Sequence, residues 1–534
     1  MATTRPIAAT ESTEPTIDLL GRPPITYQSA LDTDSNIIHE VEHARAAKAQ
    51  YQQLWGERCV IGALVKHHLG LDDRDTCIVA DSHQWIRGSF NICIPIEVKS
   101  QSPGSCRKVM LRCAMPYKLA EAANPGSVDE KTSCEVGTYA WIQERCPDIR
   151  IPHLYGFGFS NHRHFTHEAY RPLYVRLSRY IRRVFHRLIG CPTLSHYVSH
   201  PTTSRLSTAY MLLEYIGPDT GRMLSDTFEK YRKDPTRRKR LSQGIARIML
   251  SLARVPQPRI GSFRFHDDGT VSLTNRPLTC SMMILENDGT PRTVARNNTY
   301  LSIEPFIADL FDFHDQRLLT HPNAVEDEKD CRGEMAAKVL LRALAHRYIR
   351  RDQRNGPYFL QLDDLHASNI FVDNDWNVTC LMDLEWVNAM PVERLEAPYW
   401  LTGCAIDGLR GERLDEFDQV REEFMDVLED EEGEFVADHG LSLANIMRET
   451  WDSGGVWFWH SIMSVNAMYP LFIHHICPQF TSLRLSFREE ELLSKFWCED
   501  APKAVQDKVD EYHQYKANLQ RLFTKESTTR ESKS

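Results

Sequence analysis

The chain has 534 residues, 42% hydrophobic, 10% aromatic and 25% charged, which at about 150 residues per domain suggests two to four folding units with enough apolar material for a large core. That composition excludes collagen-like, disordered and small disulfide-scaffold classes. Sixty-three Lys and Arg against 73 Asp and Glu leave a net charge of -10, so the surface as a whole repels nucleic acid and anionic lipid unless a local basic patch reverses it.

Residues 1–38 read as a disordered leader, with no apolar h-region and with Glu11 and Glu14 opposing a presequence. From 39 to 74 the apolar spacing predicts helices with a break near Gly56. The runs CIVADSHQWI, NICIPIEV and KVMLRCAM then predict three antiparallel strands, divided by Gly88-Ser89 and by SQSPGS at 100–105. A helix around Lys131 to Gln143 follows, and IPHLYGFGF and YMLLEYI complete a set of five strands around one helix. The interval 163–190 interrupts them. Seven arginines and one glutamate between Arg163 and Arg187, interleaved with Tyr170, Tyr174, Tyr180 and Phe185, predict a basic helix, read as a solvated face or as a membrane-surface or RNA contact.

From 221 to 522 the pattern is mainly helical, beginning with Asp226 to Val255 and the hairpin SFRFHDDGTVSLTN. Arg332 to Arg351 should bury Met335, Val339, Leu340, Ala343, Leu344 and Tyr348. The acidic stretch Asp407 to Glu434 carries apolar residues at helical spacing, and its charge reads as an outer face or as a wall attracting a cationic substrate. Ser453 to Leu483 has no charged residue, yet Asn466, Pro470, His474 and His475 argue for buried helices over a membrane span. Residues 523–534 read as a disordered tail. The 14 cysteines contain no C-x-x-C pair, which fits a reducing, cytoplasmic location and neither a zinc finger nor a redox dithiol.

The chemistry is concentrated in L-D-D-L-H-A-S-N-I-F-V-D and the strand that ends Met382-Asp383-Leu384-Glu385-Trp386. An Asp, an Asn five residues later and an Asp fourteen beyond that supply what metal-assisted phosphoryl transfer needs. Asp364 would accept the proton of an attacking hydroxyl, and Asn369 and Asp383 would give oxygen ligands to magnesium. Asp363 is a competing base with a poorer spacing, and His366 reads as structural within the loop.

This pattern resembles the catalytic and metal-binding loops of the protein-kinase-like superfamily, and within it the aminoglycoside phosphotransferase and choline kinase group. LDDLHASNIFVDNDWNVTCLMDLEW, RIGSFRFHDDGTVSLTNRPLT and EAPYWLTG are strongly similar to the large fungal phosphotransferase-enzyme family. Over roughly residues 75 to 405, the resemblance implies an α+β, bilobal protein-kinase-like fold: a small five-stranded antiparallel N-lobe at 75–220 and a larger helical C-lobe at 221–522. It implies ATP and Mg2+ as cofactors and a small-molecule hydroxyl as acceptor. Gly88 and Ser89 would cover the phosphates, or form a plain hairpin turn. Arg112 would pair them and Glu135 would hold Arg112, unless the two form an ion pair without a ligand. Glu214 to Ile216 would be the hinge that meets the adenine. Arg112 stands where relatives carry Lys, and Leu362-Asp363 where they carry His and Gly or Arg. A nucleotide-binding module without turnover is therefore the alternative. Nucleic acid is not expected as a partner, nor is a transmembrane segment; peripheral membrane contact through 163–187 is a third reading.

Overall fold

The computed structural model describes residues 15–99, 106–482 and 484–531. The first fourteen leader residues, the connection at 100–105 and the last three tail residues lie outside them. Two helices open the main body: α1, Ile37–Gly56, capped by Asn36 accepting the His39 N–H, and α2, Arg58–Leu69, closed by Gly70 in the left-handed region at φ 62°.

An eight-stranded antiparallel sheet follows. Its strands are β1 Thr76–Val79, β2 Ile86–Arg87, β3 Asn91–Lys99, β4 Cys106–Ala114, β5 Leu154–Gly158, β6 His164–His167, β7 Tyr197–Ser199 and β8 Tyr210–Glu214. The order is β7-β6-β5-β8-β4-β3-β1, with β2 also paired to β3. Side-chain alternation splits the sheet into two faces. Ile92, Ile94, Ile96, Leu111 and Leu212 pack under α2 with Ile61, Leu64 and Val65, while Met211 and Leu213 pack on α3, Ser127–Arg145. Helix α3 is buried along nearly its whole length because the hairpin β9, Ser262–Phe265, and β10, Thr270–Asn275, covers its other side. Its start has no side chain of its own in the cap; Glu121 accepts from the N–H groups of Gly126 and Val128 instead.

The expected set of five strands is thus too small. Strand β6 lies inside the stretch read as one basic helix and β7 lies just beyond it, and together they extend the sheet past β5. The helix itself, α4, spans Leu173–Leu188.

The rest of the chain is mainly helical: α5 Pro235–Ala253, α6 Cys280–Asn287, α7 Ile303–Thr320 and α8 Glu328–Leu344 come first. Two strand pairs interrupt the helices: β11 Phe359–Leu362 with β14 Val387–Met390, and β12 Ile370–Val372 with β13 Val378–Leu381. Then follow α9 Glu412–Glu431, α10 Leu443–Asp452, α11 Gly455–Met463 and α12 Ala501–Glu531. Helix α8 buries Met335, Lys338 and Leu341, and its expected face is wrong at Ala343, which is exposed, because the helix packs against 487–494. The uncharged stretch forms short buried helices, with Phe458, Trp459 and Ile462 in the main core. Among the described residues no helix is long and apolar enough to cross a membrane.

Among the described residues, 15–38 and 523–531 do not follow the disordered readings of the two terminal segments. Thr16–Ile17 pairs with Ile25–Thr26, and Ile17, Leu19, Ala30 and Ile37 pack against Tyr515, Leu519 and Phe523 of α12. The Ile37 N–H donates to the Tyr515 hydroxyl at 3.1 Å. Helix α12 runs on to Glu531, so most of the segment read as a tail continues it.

Candidate active site

Strand β4 places Arg112 opposite Met211, on the sheet face that looks toward α3. Its guanidinium is buried and meets three carboxylates: Nη1 lies 3.1 Å from Glu135, and Nη2 lies 2.5 Å from Asp383 and 3.0 Å from Glu385. A second buried cation, Lys131, sits one turn before Glu135 on α3. It pairs with Glu135 at 2.6 Å and with Glu385, and donates to Asn91 Oδ1 at 3.2 Å. The Asn91 amide in turn donates to Glu385 at 2.8 Å. Two cations therefore face three carboxylates, whose oxygens lie within 4.8 Å of one another.

The loop between β11 and β12 brings the other expected residues to the same place. His366 accepts the Ser368 N–H at 3.2 Å and so caps the short turn Ala367–Asn369, a structural role. The Asn369 amide donates to the Asp364 carbonyl at 2.8 Å, and the Asn369 carbonyl accepts the Met382 N–H at 2.8 Å. These bonds tie the loop to the end of β13, where Asp383 adopts φ 59°, a left-handed conformation that costs a non-glycine residue roughly 1–3 kcal/mol and marks a constrained position. Asp364, Asn369 and Asp383 line one small pocket with Leu362, Asp363, Leu365, Met382 and Trp386.

The electrostatics divide the two aspartates of the loop. Asp363 is bound by Arg394 and accepts the Cys280 N–H at 3.4 Å, so it is not a free base. The Asp364 carboxylate accepts no hydrogen bond among the described residues, and burial, then the charges of Asp383, Asp363 and Glu385, push it up to about 7. Burial also raises Asp383, against the pull of Arg112. Burial would raise Glu385 too, but Lys131 and then Arg112 hold it below its ordinary value.

Compared with known proteins, the chain matches no family model and no curated protein.

The remaining expected residues, Gly88, Ser89, Glu214 and Ile216, do not line that pocket. Gly88 and Ser89 form the turn between β2 and β3, with the Gly88 N–H donating to the Asn91 carbonyl at 2.9 Å. They line a separate cavity of about 600 Å³ with Arg22, Arg87, Lys118 and Asp288, and that cavity is not lined by Asp364, Asn369 or Asp383. It is the next two residues that reach the site: Phe90 packs edge-on against Trp386, and Asn91 joins the ionic cluster. Glu214 ends β8, where Arg150 at 2.6 Å and the His153 N–H at 3.0 Å hold its carboxyl below the usual range although burial opposes them. Ile216 packs on Phe371 and Cys380 of the hairpin that carries Asn369 and Asp383, with Met382 alongside.

Lys131 and Asn91 were missed. The Lys131 to Glu135 spacing of four on a helix was a usable signal for the first, while Asn91 gave none beyond its place in the Gly88 turn. Much of the charge of the acidic stretch is engaged in ion pairs instead of standing free as a substrate wall. On α9, Glu423 pairs with Arg238 and Glu431 with Arg247, while Arg448 gathers Glu422, Asp426 and Glu429.

Proposed function

We propose that this pocket is the site of an ATP- and magnesium-dependent phosphotransferase acting on a hydroxyl of a small molecule, on a bilobal kinase-like architecture. The eight-stranded sheet with α2 and α3 would be the small lobe and the helical remainder the large one. The observation that carries the reading is Asp364: an unpaired carboxylate with a raised pKa, in one pocket with Asn369 and Asp383 and beside the Arg112 and Glu135 pair.

The donor set fits a divalent ion. Asp383 uses Oδ1 on Arg112, and its Oδ2 has no partner among the described residues; the amide of Asn369 is turned by its bond to Asp364, and its Oδ1 is likewise free among them. Asn369 and Asp383 would hold the magnesium ion, which when bound neutralises phosphate charge. In the transfer, the acceptor oxygen forms a bond to the γ-phosphorus, the bond from that phosphorus to the β,γ-bridging oxygen breaks, and Asp364 takes the hydroxyl proton. Arg112 supports this chemistry only if its fork releases Asp383 enough to meet a phosphate oxygen. Its present engagement with three carboxylates favours the second reading, a nucleotide-binding module without turnover.

Thermal unfolding with saturating ATP, with and without magnesium, tests both. Ligand at about 100 times its dissociation constant stabilises by roughly 2.7 kcal/mol. A magnesium-dependent rise that Asp383→Ala abolishes, followed by ATP turnover that Asp364→Asn abolishes, supports transfer; a rise with no turnover of any hydroxyl compound supports the second reading; no rise with either overturns the nucleotide assignment.

A further inference from the structure

Helix α4 is mounted with its polar side inward. Arg179 is buried and donates from Nη2 to the carbonyls of Ser195 at 2.8 Å and Tyr197 at 3.0 Å. Arg183 clasps Glu168 with two bonds, at 2.7 and 2.5 Å, and Arg187 pairs with Glu144. The opposite face holds Leu173, Leu177, Tyr180, Ile181, Phe185 and Leu188, spaced to fall on one side of a helix and 59 to 79% exposed. Val184 and Ile189 extend the same exposed surface. In an ordinary surface helix this face would be turned to the core, and a contiguous exposed apolar surface of this kind marks a contact site.

The charge around the stripe says what covers it. From 171 to 190 there are six arginines and no acidic residue, in a chain whose net charge is -10. Arg176 and Arg182 are exposed, enter no ion pair among the described residues, and stand toward opposite margins of the apolar arc. An RNA partner would need the arginines outward, but Arg179 and Arg183 are spent inward and hydrocarbon faces out. A protein partner would have to supply an apolar groove with acid on both rims. An anionic bilayer offers both as one plane, acyl chains beneath phosphate headgroups. Sixteen residues make a helix of about 24 Å, too short to span, so it would lie in the interface.

We propose that α4 is a membrane-surface anchor, seated with its apolar face in the headgroup and acyl boundary of a bilayer containing anionic phospholipid and with Arg176 and Arg182 against the headgroups. The assignment is independent of the chemistry of the pocket.

Flotation of the full chain with phosphatidylcholine vesicles, with and without phosphatidylserine, tests it. The wild type should float with serine-containing vesicles, less with pure phosphatidylcholine, and less at high salt. Leu177→Glu with Ile181→Glu, both at exposed positions, should abolish flotation with an unchanged melting temperature, and Arg176→Glu with Arg182→Glu should remove the preference for the anionic lipid. Tyr180→Trp should shift its emission to the blue on vesicles. Absence of flotation at low salt overturns the proposal, as does flotation undisturbed by the Leu177 and Ile181 pair. If the wild type fails to float but is a dimer that this pair of changes dissociates, the face is a contact between copies and the membrane assignment is wrong.

Discussion

Replacing Lys131 with Met tests the ionic cluster directly. The ammonium is 1% exposed, 2.6 Å from Glu135 and in contact with Glu385, and the change leaves three carboxylates facing Arg112 alone. At an effective dielectric of about 20, a pair at 4 Å is worth about 4 kcal/mol before desolvation, and breaking buried pairs at one partner costs about 3–5 kcal/mol. A loss of that size is expected in urea unfolding at neutral pH. Burial would lower the Lys131 pKa, yet Glu135 and Glu385 raise it, so its contribution is complete below the ordinary lysine value of 10.5 and is lost only as pH rises beyond that. In the variant the uncompensated carboxylates take up protons as the solution is acidified, so its deficit should shrink toward about pH 4. Adding Glu385→Gln should recover part of the loss. A deficit under about 1 kcal/mol, the range of an exposed pair, would refute the account.

The Asp364 carboxyl is raised, so the folded state favours its protonated form: the stability it contributes is present below about pH 4 and disappears by about pH 7. Urea midpoints at about pH 5 and about pH 8 should differ more for the wild type than for Asp364→Asn; equal differences would remove the assigned shift. If Asp364 is the base, turnover rises through about pH 7 and Asp364→Asn lowers it by roughly 10² to 10⁴ with the fold intact. Leu519→Ala, at a fully buried contact between α12 and the amino-terminal segment, should cost about 2–5 kcal/mol and expose residues 15–41 to protease; unchanged protection would show that the two ends are held by other contacts.

What was legible in the sequence was local. The alternation around Asp268-Gly269 and the strands on either side of the Asp364 loop carry their own signals within a dozen residues, and Gly269 takes the positive φ that the turn requires. Lys131 was not legible in this way, because a lysine on a helix reads as a solvent face until Glu385, far along the chain, is brought against it. The amino-terminal segment failed for the same reason. Ile17, Leu19 and Ala30 are too few to suggest a core alone, and the partner whose hydroxyl meets Ile37 is 478 residues away. Strand β6 was hidden by the arginines after it, whose number suggested one helix across the interval although its α-helix spans only 173–188; β7, beyond that interval, is three residues long and carries too short an alternation to stand out.

The arginine at position 112 makes sense once Lys131 is counted. A lysine on β4 would offer one nitrogen to three carboxylates; the fork of Arg112 offers two, and Lys131 supplies the second charge from α3. The cluster still has one negative charge too many. That excess lies beside Asp383, the most exposed of the three carboxylates at 29% side-chain exposure, and it also helps to raise Asp364. Proton and cation therefore compete for the same surplus charge. By linkage, any cation held by Asp383 and Asn369 must ease the ionisation of Asp364, and ionisation must tighten the hold on the cation by the same factor. On the proposed reading, the acid limb of turnover moves to lower pH as magnesium is raised; a limb indifferent to magnesium would separate the two aspartates and leave Asp364 without its assigned role.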